Sequence, residues 1–259
     1  MGRSTPTVRI IGKGRAGSSL ALALSNAGWE VAPVLRRDDD VSEAAVGVDV
    51  LVLAVPDRAI ANVARNVGVV ATTVVAHLAG SLDLDALAPH PRRAALHPLV
   101  PLPSASVGAD RLRGAWYGVA GDALVYAVVE ALDGRSFTVG DEHRALYHAA
   151  ASIAANHLVA LMGQVERVAA TAGAPFEAYV DLARAALDDV SRMGPAAALT
   201  GPVARGDHAT VRRHLRALDT SERRAYRAMA DAARLLVDEG FEPRPQSKLG
   251  SQSRDRSRG

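Results

Sequence analysis

Between residues 7 and 31 the chain reads TVRIIGKGRAGSSLALALSNAGWEV. An apolar run enters a turn with glycines at 12, 14 and 17, and a small-residue helical pattern leaves it. This strand, G-x-G-x-x-G and helix order constrains the fold more than any other stretch. The first glycine permits a tight turn, the second lets backbone approach a pyrophosphate, and the third lets the helix pack closely on the strand. Free N–H groups at the helix start then face the phosphates, with the helix dipole behind them. The expectation is a dinucleotide held by Gly12, Lys13, Gly14, Arg15, Ala16 and Gly17; the alternative is an ordinary tight strand–helix turn.

The alternation continues. Strand-like runs occupy 7–12, 30–35, 49–55, 73–77, 94–96, 116–120 and 136–139, with helical patterns between several of them, such as 16–27 and 58–66. Strands alternating with helices predict a parallel, doubly wound α/β sheet of Rossmann type. From about residue 141 the character changes: EHRALYHAAASIAANHLVALMGQVERVAATAG runs on without a proline, and helical stretches follow near 175–192, 207–218 and 221–239. The predicted organisation is a dinucleotide-binding domain over 1–140, a smaller all-α substrate and dimerisation domain over 141–240, and a tail over 241–259.

Charge is unevenly placed. The net charge is +2, and from residue 243 onward Arg244, Lys248, Arg254, Arg256 and Arg258 stand against Asp255 alone, so the rest of the chain is negative. A tail rich in Pro, Ser, Gln and Arg is expected to be disordered. The body has no basic stripe interleaved with aromatics, so no nucleic-acid partner is expected. The absence of cysteine excludes disulfides, zinc–thiolate sites and cysteine nucleophiles and fits a reducing cytoplasm; no metal site is read. No stretch holds the roughly 18 uninterrupted apolar residues of a membrane span, and the N-terminus lacks an export-signal pattern. A cytoplasmic protein without a membrane partner is the expectation.

The end of the second strand decides which dinucleotide fits. An NAD site places an acid there for the ribose 2′-hydroxyl. This chain offers Arg36 and Arg37, with Lys13 and Arg15 in the facing turn, and guanidinium groups match a 2′-phosphate in charge and fork geometry. NADP is favoured; Asp38, Asp39 and Asp40 keep an NAD role open. FAD and S-adenosylmethionine sites call for an acid at this strand and for a longer chain or other glycine spacing.

The stretches IIGKGRAGSSLALAL, LVLAVPDRAIANVA, VAHLAGS, ALHPLVPLP, HAAASIAANHLVAL and ALTGPVARGDHATVRRHLRAL follow in this order. Together they resemble a bacterial family of Rossmann-like proteins with a helical C-terminal domain of unknown function. The family is similar to the 6-phosphogluconate dehydrogenase, ketopantoate reductase and pyrroline-5-carboxylate reductase superfamily. The resemblance implies an NADP-linked oxidoreductase acting on a small oxo acid of ketopantoate type in a cleft between domains, and a homodimer paired through its helical domains. Reduction of an imine, or NADP(H) binding without turnover, are the alternatives. Hydroxyacid dehydrogenases of this superfamily use a lysine on the long helix with an asparagine four residues later. The only lysines here are Lys13 and Lys248, and neither stands there.

Asn156 does stand on that helix, with Ser152 four residues before it and His148 four before that, all on one helical face. His148, with an unperturbed pKa of about 6.5, is the first candidate proton donor, and Ser152 and Asn156 hold the substrate or the nicotinamide amide. His143 and His157 point elsewhere and are expected at the surface. Ligands in open α/β sheets bind beyond the carboxyl ends of the strands. There Val55 and Pro56 are placed to cover the cofactor, and His97, stiffened by Pro98, is the second candidate acid. Ser81 and Arg205 are candidate substrate contacts, His77 a strand-end histidine, and Asp207 a helix cap.

Overall fold

The computed structural model describes residues 6–36 and 38–238; Arg37 and the tail lie outside them. A seven-stranded sheet has the order β2-β1-β3-β4-β5-β6-β7. Its strands are β1 (Thr7–Ile11), β2 (Glu30–Val31), β3 (Val50–Leu53), β4 (Val74–His77), β5 (Arg93–Pro98), β6 (Trp116–Gly121) and β7 (Arg135–Thr138). The helices α1 (Arg15–Asn26), α2 (Asp57–Asn66), α3 (Ala105–Leu112) and α4 (Leu124–Ala131) connect them. The strand order reverses at β1, so β1 and β3 flank the switch point where such folds bind ligands.

Alternate residues of the central strands serve opposite cores. Val50 and Val52 pack with Leu20 and Leu24 of α1, Leu112 of α3 and Val128 of α4. Leu51 and Leu53 face the other way, onto Ile60 and Ala64 of α2. Covering both faces explains why these strands are unbroken apolar runs, each buried aliphatic side chain contributing about 2 kcal/mol.

Two features depart from the sequence expectation. The pairing of β5 with β6 is antiparallel while the remaining pairs are parallel. The intervening helix α3 docks on α1, where a side chain at Gly108 would overlap the Ser19 hydroxyl, and Ser19 also bonds the Ser104 carbonyl at 3.1 Å. The chain therefore re-enters the sheet from the edge it left. The run at 30–35 also forms only a two-residue strand, because Pro33 has no N–H to give to the ladder. Leu35 returns as a single bridge to Ile11.

The chain divides into two compact units, Met1–Ala155 and Asn156–Gly259. Composition changes near 140, but the following helix α5 (Arg144–Ser152) belongs with the sheet: Arg144 is 1% exposed and Tyr147 lies on Gly118 of β6. Helical winding then passes through a π-turn, Ile153–His157, before α6 (Leu158–Thr171). The stretch Asp141–Thr171 is long and apolar enough to cross a membrane by length and composition, yet its first turns are committed to the sheet through Arg144 and Tyr147. The second unit contains α6, α7 (Phe176–Met193), α8 (Pro195–Ala198), α9 (His208–Ala217) and α10 (Arg223–Asp238). Within it Arg167 grips Glu222 through two bonds of 2.6 and 3.1 Å. Asp207 caps α9 through the Thr210 amide at 3.0 Å, as its place in the sequence predicts.

Candidate active site at the carboxyl edge of the sheet

The glycine turn divides its work as the motif requires. Gly12 has a φ of +116°, and a side chain there would overlap the carbonyl of Ala54 beyond β3. One at Gly17 would overlap the Gly12 carbonyl. These two glycines serve packing. Gly14 differs: nothing lies within 4 Å of where its Cβ would stand. It is the N-terminal boundary of α1 and makes no side-chain cap, and the first turn of α1 holds no acid. The opening amides of α1 therefore have neither a side-chain cap nor an acid in the first turn, and the positive end of the helix dipole there suits a phosphate group. Lys13 and Arg15 are exposed beside them.

The second-strand segment is tied to this turn by backbone. The Gly12 amide donates to Leu35 at 2.9 Å, and Leu35 donates to Ile10 at 2.9 Å. Arg36, next in the chain, is exposed. The neighbouring acids are engaged locally: Asp39 accepts from the Arg36 amide at 2.6 Å and Asp40 from the Ser42 amide at 2.9 Å. The Ser42 bonds hold Asp40 below the usual carboxylate range. Half-buried Val55 and exposed Pro56 follow β3 beside the turn.

Farther along the same edge, His97 of β5 meets Tyr147 of α5. Its Nδ1 lies 2.6 Å from the phenol oxygen, and the His148 ring stands edge-on to it at 5.8 Å between centroids. Gly80 leaves room for this cluster, since a Cβ there would come within 2.7 Å of His148 and 2.9 Å of His97. Burial, and next the His148 charge, push His97 down to about 4. Burial pushes Tyr147 up to about 12, against the opposing pull of Arg144. Ser81 donates to Asp57 at 3.2 Å, joining the loops after β3 and β4. His77 is fully buried, with Nε2 3.3 Å from the Asp83 carbonyl and Nδ1 unpartnered; burial, followed by the Arg144 charge, lowers its pKa.

The structure brings His97 and His148 together and adds two residues the sequence reading did not single out, Tyr147 and Arg144. Tyr147 sits beside His148 in sequence, but only the packing of α5 on β6 shows that its ring reaches His97. Half-buried Ser152 ends α5. The π-turn beyond it breaks the regular spacing assumed for Asn156, which is exposed and opens the second unit. Arg205 is an exposed loop residue of that unit. His143 and His157 are exposed.

Residues 119–233 match a family described as a domain of unknown function, DUF2520. That is the C-terminal domain the sequence motifs resemble. Among solved structures the chain is similar to a Bacteroides fragilis protein provisionally described as an NADP oxidoreductase, at 19% identity and a TM-score of 0.76, over 89% of this chain and 98% of that one. It is similar to a Thermotoga maritima protein at 21% identity and a TM-score of 0.68, over 90% and 99% of the two chains. A third likeness is to Plasmodium falciparum pyrroline carboxylate reductase with NADP bound, at 12% identity and a TM-score of 0.59, over 91% and 100%. No curated protein sequence matches the chain. At these identities the likenesses establish the Rossmann-type fold with its helical C-terminal region.

Proposed function

We propose that this protein is an NADP-dependent oxidoreductase that reduces a small oxo acid. One observation carries the reading: a single sheet edge presents both an uncapped glycine turn fit for a dinucleotide and a half-buried His97–Tyr147 pair. The turn follows β1 and His97 ends β5, three strand spacings away, about 14 Å, a span that an extended dinucleotide can bridge. Gly14, Arg15 and Ala16 would hold the pyrophosphate, Arg36 and Arg37 the 2′-phosphate, and Val55 and Pro56 would cover the cofactor. The bound nicotinamide would supply hydride. His97, neutral and with Nδ1 engaged by Tyr147, presents Nε2–H toward a carbonyl oxygen, with His148 beside it and Ser81 on the neighbouring loop.

The likeness to a pyrroline carboxylate reductase supports imine reduction as a second reading. NADPH oxidation stimulated by 2-oxo acids but not by cyclic imines separates the two. NADPH binding without oxidation under either condition would leave a binding protein instead. A homodimer is part of the proposal, supported by Leu161, Leu182, Leu187 and Met193, large apolar side chains exposed in the second unit. A monomeric mass by light scattering at micromolar concentration would remove it.

A further inference from the structure

We propose that Tyr147 and His97 form a proton relay, with the buried Arg144 guanidinium as the counter-charge that lets Tyr147 release its proton. The inference rests on the oxidoreductase reading and adds the route by which the new substrate oxygen is protonated.

The geometry is specific. In the β5–β6 ladder His97 stands opposite Gly118, and a Cβ at Gly118 would lie 2.5 Å from the Tyr147 oxygen. Only glycine lets the phenol cross this pair. The relay takes the phenol as the donor to Nδ1 of His97, 2.6 Å away. His97 then carries its own proton on Nε2. Phe137 packs edge-on to the Tyr147 ring at 5.7 Å between centroids and fixes its direction.

An imidazolium donor fits poorly: with a pKa of about 4, roughly one His97 in a thousand is charged at pH 7. A neutral imidazole can still give up its Nε2 proton if another reaches Nδ1 in the same event. A reduced nicotinamide would supply the hydride; the substrate oxygen, gaining the C=O π pair, takes the Nε2 proton. Nδ1 takes the Tyr147 proton and His97 ends neutral; the resting state returns when Nε2 takes a proton from water and Nδ1 gives its proton back to the phenolate. An alkoxide is a stronger base than a phenolate, so the transfer runs downhill.

Arg144 supplies the remaining part. It lies three residues before Tyr147, a neighbouring position on α5, and is 1% exposed. Its Nε donates to Asp141 at 3.0 Å, while Nη1 and Nη2 have no partner among the described residues. Two unpartnered guanidinium nitrogens are costly in a buried site; a phenolate at the neighbouring helical position would lower that cost through its charge. Its charge favours ionisation of Tyr147 and disfavours charging of His97 and His77. His148, Asp57 and His77 are the other groups acting on His97.

The test begins on the ligand-free protein with 15N-labelled histidine. The native chain should show His97 protonated on Nε2 with Nδ1 hydrogen-bonded, and Tyr147→Phe should lose that signature while still binding NADPH. In turnover, Tyr147→Phe should lower kcat about a hundredfold with KM little changed. Its rate should fall about tenfold per pH unit above neutrality, where the native rate is flat, a change that loss of packing alone would not produce. His97→Gln keeps a donor but cannot pass a proton, so it should show the same loss and stands in if Tyr147→Phe does not fold. Native turnover and an unchanged pH profile in either variant would overturn the relay and leave the reductase reading intact. A native chain that reduces neither oxo acids nor imines would overturn both.

Discussion

The amide of Gly12 and the carbonyl of Leu35 are 2.9 Å apart, and this bond joins the phosphate-type turn to the segment that would select the cofactor. Because Leu35 is pinned, Arg36 emerges beside the turn, while Asp39 is turned back onto the Arg36 amide. Arg36→Ala together with Arg37→Ala should therefore weaken NADPH binding by about tenfold or more, the loss of one or two charge-assisted bonds. NADH binding should be nearly unchanged. Fluorescence titration with both cofactors checks this; equal losses would place the 2′-phosphate elsewhere.

The glycines of the turn should separate binding from folding. Gly14→Val meets open space at a φ of −77° that any residue adopts, so stability should fall by less than about 1 kcal/mol. NADPH affinity should nevertheless drop at least about tenfold, because the side chain would occupy the phosphate approach. Gly17→Ala should do the reverse, overlapping the Gly12 carbonyl and lowering stability by roughly 2–3 kcal/mol. Urea unfolding alongside cofactor titration reads both effects.

Stability should depend on pH through half-buried His97 and buried His77. The folded pKa of His97, about 4, lies below the ordinary histidine value of 6.5, and that of His77 is lowered too. Between these pH values the unfolded chain binds protons that the folded chain refuses, so stability falls as pH drops from about 6.5 toward 4. For His97 the loss is at most roughly 3 kcal/mol. Urea unfolding at two pH values spanning that window should show it, and His97→Gln should remove a large part. An identical pH dependence in the variant would mean that His97 is not held neutral.

Gly80 offers a test of how tightly the cluster is built. In Gly80→Ala the new methyl would meet His148 at 2.7 Å and His97 at 2.9 Å, so both rings must shift. Turnover should fall by about tenfold or more, because misplacement of an ångström at a reacting centre is costly. NADPH binding should persist. Native turnover in this variant would show that the imidazoles can move without consequence.

Much of the fold was legible because it is encoded locally. The G-x-G-x-x-G turn, the apolar strand runs and the capping Asp207 each act through neighbours in the chain, and α7, α9 and α10 begin and end within a few residues of their predicted limits. The reversal of β6 was not legible, since it depends on α3 docking against α1, a contact between segments far apart in sequence.

The candidate site divides the same way. Gly12, Gly14, Gly17 and Arg36 could be named as candidates from sequence, because the turn is one continuous stretch with a fixed glycine spacing and Arg36 follows the next apolar run. His97 and His148 could be named as candidates, but the partner of His97 could not. Tyr147 and His148 are adjacent residues that point about 100° apart on a helix, and nothing local says which reaches β5. The packing of α5 over Gly118 and Gly80 decides it, bringing Tyr147 to His97 and burying Arg144. A side chain's pKa and partners come from the groups that surround it in space, and those arrive from separate stretches of the chain.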